Sequence, residues 1–225
     1  MALPRDIRDR RSHGYEGPRP DVQRLVPLGA SNIIELGCST GALGEALKLR
    51  QNARVFGVEL LEDYASQARE RLDQVLVSDA ETFAAGQPPQ GAPFDCLIAA
   101  DVLEHLVDPW ETLRRTVGML APAATVIVSV PNVFYWKTLR RALATRHWPR
   151  EDEGIFDRTH LRWFGPGDAR ELMAGAGLIE VEVHPKYWNR GWRLAIVEAL
   201  AHTPAADFLP AQLLVTGTVP VEGPR

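Results

Sequence analysis

The chain is poor in cysteine, in positive charge and in long apolar runs, and each shortage removes a class of protein. Two cysteines among 225 residues, one inside a glycine loop (Cys38) and one inside an apolar run (Cys96), are too few for a disulfide framework or a cysteine-based metal site. Reduced thiols, no redox chemistry and no metal are the expectation. Lys and Arg number 25 against 29 Asp and Glu, a net charge of -4, so no overall attraction to a phosphate backbone exists and no nucleic-acid partner is expected. A local basic patch stays open. No stretch approaches the roughly 18 to 20 apolar residues of a membrane span, and the start Met1-Ala2-Leu3-Pro4-Arg5-Asp6 lacks the apolar segment of a signal peptide. The reading is a soluble, cytoplasmic protein. Internal repeats are missing too, and the one low-complexity piece is the linker Gly86-Gln87-Pro88-Pro89-Gln90-Gly91.

What is present is a core. With 45% hydrophobic residues, the chain can bury one domain, or one domain carrying a small cap. From about residue 30 to 130, short apolar runs (32–36, 54–58, 74–77, 94–100, 124–130) alternate with amphipathic stretches (42–50, 63–72, 109–120). That alternation predicts an α/β fold, doubly wound and Rossmann-like, with a mostly parallel sheet whose strand-end loops share one edge. Residues 1–28 read as an irregular arm ending in a short helix, 21–26, and residues 29–225 as the main domain. Within it, 133–167 breaks the alternation and reads as a lid or insertion, with an aromatic and basic helix over 134–146 and a loop over 149–167. A helix over 168–176 stopped by Gly177, a strand over 178–187 and a last strand over 212–219 complete the expectation.

Gly37, Gly41 and Gly44 follow the first strand and lead into a helix, so main-chain amides and a helix amino terminus are expected to face a ligand lying close to the backbone. Their Gly-x-x-x-Gly-x-x-Gly spacing is looser than the Gly-x-Gly-x-x-Gly that grips a pyrophosphate. At the end of the second strand, Glu59 stands where an acid can accept both hydroxyls of a ribose. After the third, Asp79 offers a carboxylate to an adenine amino group. An adenosine-containing ligand follows.

Five segments then carry a resemblance: Ile33-Ile34-Glu35-Leu36-Gly37-Cys38-Ser39-Thr40-Gly41, the acid Glu59, Asp79, the run from Phe94 through Asp101-Val102-Leu103-Glu104-His105-Leu106, and Val128-Ser129-Val130-Pro131-Asn132. In this order and spacing, over residues 30 to 135, they resemble the successive motifs of class I S-adenosylmethionine-dependent methyltransferases. The resemblance implies a seven-stranded sheet with its last strand antiparallel, and S-adenosylmethionine as cofactor. Its methionine end is expected near Gly37, Cys38, Ser39 and Gly41, its ribose on Glu59, and its adenine near Leu60, Asp79 and Ala80. Tyr15 and Arg19 resemble an arm that folds over the cofactor in related small-molecule enzymes. The segment Asp157-Arg158-Thr159-His160-Leu161-Arg162-Trp163-Phe164 resembles one found in bacterial methyltransferases that modify lipids or saccharides.

Methyl transfer to a hydroxyl requires a proton to leave, and His105, just past the fourth strand, has a pKa suited to that work. His160, in the lid, is the second catalytic candidate, with a structural ion-pair network through Asp157, Arg158 and Arg162 as the competing reading. Asp101 and Glu104 either touch the sulfonium region or only begin a helix; Asp101 is placed with the cofactor. Asp108 before Pro109 reads as a helix cap. The expected function is methyl transfer to a small-molecule or saccharide acceptor, lipid-linked acceptors included, at oxygen. Its rivals are a non-catalytic S-adenosylmethionine-binding regulatory or scaffold subunit and, disfavoured by the glycine spacing, a nicotinamide-dependent oxidoreductase.

Overall fold

A computed structural model describes residues 17–187 and 203–221. Runs that are apolar on both sides become strands buried on both faces. Ile34 and Leu36 of β1 (Asn32–Leu36) join one core cluster while Ile33 joins the other, as the strand alternation demands. The sheet is completed by β2 (Arg54–Glu59), β3 (Gln74–Val77), β4 (Phe94–Ala100), β5 (Leu120–Pro131), β6 (Ile179–Lys186) and β7 (Gln212–Thr218), in the order β3-β2-β1-β4-β5-β7-β6. Strands β1 to β5 pair in parallel, and β7 runs antiparallel to both β5 and β6. The expected seven strands with an antiparallel last strand are therefore present.

Helices cover both faces. On one lie α1 (Pro20–Gln23), α2 (Ala42–Gln51) and α3 (Glu62–Ala68), packed through Val22, Leu43, Leu47 and Ala68. On the other lie α4 (Ala80–Ala85), α5 (Pro109–Val117) and α7 (Pro166–Gly175), through Phe83, Leu113, Leu172 and Met173. Between them in sequence comes α6 (Trp136–Thr145). The expected cap at Asp108 is made, its side chain accepting from the Glu111 amide at 3.0 Å with Pro109 in the first turn.

Several boundaries moved and one helix is new; α1 ends at Gln23 rather than 26, and α3 at Ala68 rather than 72. The sequence was read as helix to residue 120, but α5 stops at Val117 and Leu120 already pairs with Phe94, because tertiary pairing with β4 outweighs local helix propensity. Helix α4 was not foreseen; Asp79 starts it by accepting from the Thr82 amide at 2.7 Å. Helix α7 begins at Pro166 rather than 168, with the Asp168 carboxylate accepting from the Gly165 amide at 2.8 Å.

Strand order reverses direction between β1 and β4, so the loops after these two strands diverge and leave a crevice at their carboxyl ends.

Candidate active site

A cavity of about 620 Å³ opens at that crevice, walled by the loops that follow β1, β2, β3 and β4. Its volume lies within the range of small-molecule sites, roughly 300 to 1,000 Å³. Gly37, Glu59, Leu60, Asp79, Ala80, Asp101 and His105, chosen from sequence alone, all line it.

Glu59 is buried, and its two oxygens are held separately: Oε2 accepts from the Ser39 amide and Oε1 from the Leu61 amide, each at 2.9 Å. Burial raises its pKa and the amides oppose that rise. A carboxylate pinned in this way keeps further lone pairs for a diol. Asp79 serves two purposes, since it caps α4 and faces the cavity; its hydrogen bonds from Thr82 hold its pKa below the ordinary value.

The glycine loop departs from expectation in one respect. The amides of Gly37 and Cys38 donate to Val58 O, that of Ser39 to Glu59, and that of Gly41 to Cys38 O. Three of these donors stitch the loop to β2 and the fourth closes a turn within the loop, so none of the four points at a ligand. Backbone groups of a buried loop must be satisfied somewhere, and a strand end 2.8 Å away satisfies them first. What Gly37 supplies is a positive φ of 67° and room, because a Cβ there would lie 2.5 Å from Val102 Cγ2. Cys38 is buried against Gly57, and burial pushes its thiol pKa up. It packs, and offers no reactive thiolate.

Beneath the loop lies a smaller cavity of about 30 Å³ bordered by Arg19, Glu35, Gly37 and Ser39. Glu35 was quoted within its motif but given no role. It is 4% exposed, and its Oε2 has no hydrogen-bond partner among the described residues. Burial, then the charge of Glu59, pushes its carboxyl up to about 8. A buried acid with one oxygen unpartnered in a small cavity has the chemistry to accept a cationic ligand group, such as an amino-acid ammonium.

Arg19 reaches the site from the arm. Its guanidinium bonds Asp101, donates to Ser129 Oγ at 3.1 Å, and pairs with Asp21 at 3.1 Å; Asp21 is in turn held by Lys186 at 2.7 Å. Asp101, at φ 60°, also takes the Ser129 hydroxyl at 2.9 Å and the Gln212 amide. Arg19 and Asp21 are thus tied to the ends of β4, β5, β6 and β7. Ser129, within the fifth motif, and Gln212, at the start of the last strand, had no role assigned from sequence, because only the pairing of β5 with β7 brings their side chains together. Tyr15 lies outside the described residues.

His105 sits on the 3-10 turn Leu103–His105 after β4. Thr159 Oγ1 lies 2.7 Å from Asp157 Oδ1 and 3.0 Å from His105 Nδ1. A hydroxyl has one proton, and the Asp157 carboxylate takes it. Thr159 then accepts from Nδ1–H, with Thr159 O also 3.2 Å from Nδ1, which places the His105 lone pair on Nε2. His160 does not line the cavity. It is 6% exposed, its ring meets that of His105 edge to face at 4.7 Å, and its Nδ1 lies 3.1 Å from Ile155 O. The ion-pair network expected around it is partial: Arg158 pairs with Asp152 at 2.7 Å, Arg162 Nε donates to Val107 O at 3.1 Å, and Asp157 serves Thr159.

With this geometry in view, the comparisons agree. A family profile described as "Methyltransferase domain" matches residues 9–183. Proteins named "Ubiquinone biosynthesis O-methyltransferase" are similar: one from Xylella fastidiosa is 32% identical over 117 residues, covering 49% of this chain and 46% of that protein. Another, from Bradyrhizobium diazoefficiens, is 30% identical over 138 residues, covering 61% and 53%. The chain spans about half the length of the curated relatives it matches. A crystal structure of a SAM-dependent methyltransferase from Archaeoglobus fulgidus shares the fold, with a TM-score of 0.66 at 16% identity over 92% of this chain and 97% of that one. Strand order, crevice and profile coincide, and the chain belongs to the class I S-adenosylmethionine-dependent methyltransferases.

Proposed function

We propose that this chain methylates a hydroxyl of a small molecule. The observation that carries the reading is a single cavity lined both by Glu59, whose carboxylate is pinned by two backbone amides, and by His105, whose imidazole is oriented by Thr159. Glu59 holds the ribose, Leu60, Asp79 and Ala80 border the adenine, and Glu35 with Arg19 receives the methionine end in the smaller cavity. When bound, the sulfonium supplies the methyl group, its C–S bonding pair returning to sulfur as the acceptor oxygen forms the new C–O bond and gives up its proton.

Acceptor at oxygen is favoured by the relatives named O-methyltransferases. Those names speak for a small-molecule hydroxyl, and the saccharide alternative gains no support from them. The residues act on the acceptor by position: Thr159 and His105 form its wall, and the Asp157–Thr159–His105 chain fixes which nitrogen faces it. Two chemistries are open to the Nε2 lone pair, taking the proton itself or holding a cation that acidifies the hydroxyl.

Calorimetric titration with S-adenosylmethionine and with NADH, followed by a product assay over phenols and sugars, tests the proposal. Binding of the methyl donor alone and a methylated phenol are expected. Binding without any methylated product would favour the regulatory subunit, and binding of neither ligand would remove the reading.

A further inference from the structure

Between the 3-10 turn after β4 and the loop before α7, three side chains of unlike character converge. One ligand atom from each of Glu104, His105 and His160 lies within 4.8 Å of the other two. Glu104 is 1% exposed, yet neither of its carboxylate oxygens has a hydrogen-bond partner among the described residues. Buried carboxylates are normally satisfied, and one left open toward two imidazoles needs an explanation. Two backbone amides, Leu161 and Arg162, donate to the Glu104 carbonyl at 2.8 and 3.0 Å, which ties the turn to the segment before α7.

The imidazoles are oriented in the manner of metal ligands. Histidines that bind metals donate the other ring N–H to a carbonyl or a similar acceptor. Here His105 Nδ1 faces Thr159 O and Oγ1, and His160 Nδ1 faces Ile155 O at 3.1 Å. Both rings therefore carry their lone pair on Nε2.

We propose that Glu104, His105 and His160 bind one divalent transition-metal ion of the zinc or manganese type, with its open coordination position toward the cavity. Two imidazoles and one carboxylate form a three-ligand set that leaves room for a substrate oxygen. Ligand atoms bound at about 2.0 to 2.2 Å stand roughly 3.4 Å apart in a tetrahedron, so ring and carboxylate rotations of about 1 Å close the site. Asp101 is no ligand, being held by Arg19, Ser129 and Gln212. Resting on the proposed reading of the cavity, the ion would take the acceptor hydroxyl at its open position and lower its pKa, the proton passing to water.

The test is direct binding to the purified full chain. After dialysis against a chelator, Co²⁺ is titrated in while visible absorption is followed, and Zn²⁺ is used as competitor. One equivalent per chain is expected, displaced by Zn²⁺. Affinity should fall at least tenfold in His160→Ala and in the isosteric Glu104→Gln, and be unchanged in His184→Ala, a strand histidine bonded to Thr216. S-adenosylmethionine binding, followed by calorimetry in each variant, reports folding. No cobalt uptake by a wild-type protein that binds S-adenosylmethionine would overturn the metal site and leave the proposed function standing. Equal cobalt affinity in wild type and both ligand variants would also overturn it. Specific cobalt binding without S-adenosylmethionine binding would support the metal site and count against the proposed function.

Discussion

Replacing Glu59 by Gln changes one atom and removes the symmetry on which this site depends. Each carboxylate oxygen accepts one backbone amide, from Ser39 and from Leu61, at 2.9 Å. A glutamine offers one oxygen and one NH2 group, so one of the two amides must face a donor. Leaving a buried donor unsatisfied costs about 1 to 3 kcal/mol, and at roughly 2 to 4 °C per kcal/mol for a chain of this size the midpoint should fall by about 2 to 12 °C. Cofactor affinity falls separately. One charge-assisted bond to the ribose, worth about 1.5 to 3 kcal/mol, is lost, a weakening of roughly 10- to 150-fold. Thermal unfolding of the ligand-free protein measures the first effect, and calorimetry with S-adenosylmethionine the second. A variant with wild-type midpoint and wild-type affinity would refute both the pinned geometry and the ribose assignment.

Three other outcomes follow from the same structure. Arg19→Ala breaks a mostly buried pair with Asp101 and should cost about 3 kcal/mol; it should also weaken cofactor binding tenfold or more, and unchanged denaturant midpoint and affinity would show the arm to be incidental. Glu35, whose carboxyl is pushed up to about 8 from 4.5, binds a proton more tightly folded than unfolded, so its contribution to stability is complete below the lower value and is lost as pH rises through the upper one. Melting curves across that window should show a decline that Glu35→Gln abolishes, and a wild-type midpoint that holds level or climbs relative to the variant would contradict the assignment. Gly57→Ala places a methyl group 2.5 Å from Cys38 Sγ and 2.9 Å from Leu72 Cδ1, an overpacking of about 1 to 3 kcal/mol. Adding Cys38→Ala should recover part of it, and strict additivity of the two changes in urea unfolding would count against this contact.

Much of the fold was legible because each unit announces itself locally. The runs of β1, β2 and β4 are apolar on both sides, and only a sheet covered on both faces buries such runs. Glu59 was legible for a related reason, since a lone acid at the end of a buried strand has few structural purposes. The short helix α4 escaped notice because its six residues give too few turns for a period to show. The partners of the loop amides were not legible, because the acceptors of Gly37, Cys38 and Ser39, Val58 O and the Glu59 carboxylate, belong to a strand some twenty positions away.

The sequence by itself determined the alternation of strands and helices, the turn at Gly37 and the acid at Glu59, because these depend on neighbours within a few residues. Tertiary structure alone decided the company each polar group keeps. Asp101 meets Arg19 across 82 positions and Gln212 across 111, and Glu104 and His105 meet His160 only because the chain after α6 returns over the turn that follows β4. No periodicity encodes such meetings. They arise when a shared core closes and brings the ends of separate strands to one edge, where burial makes every unpaired charge count.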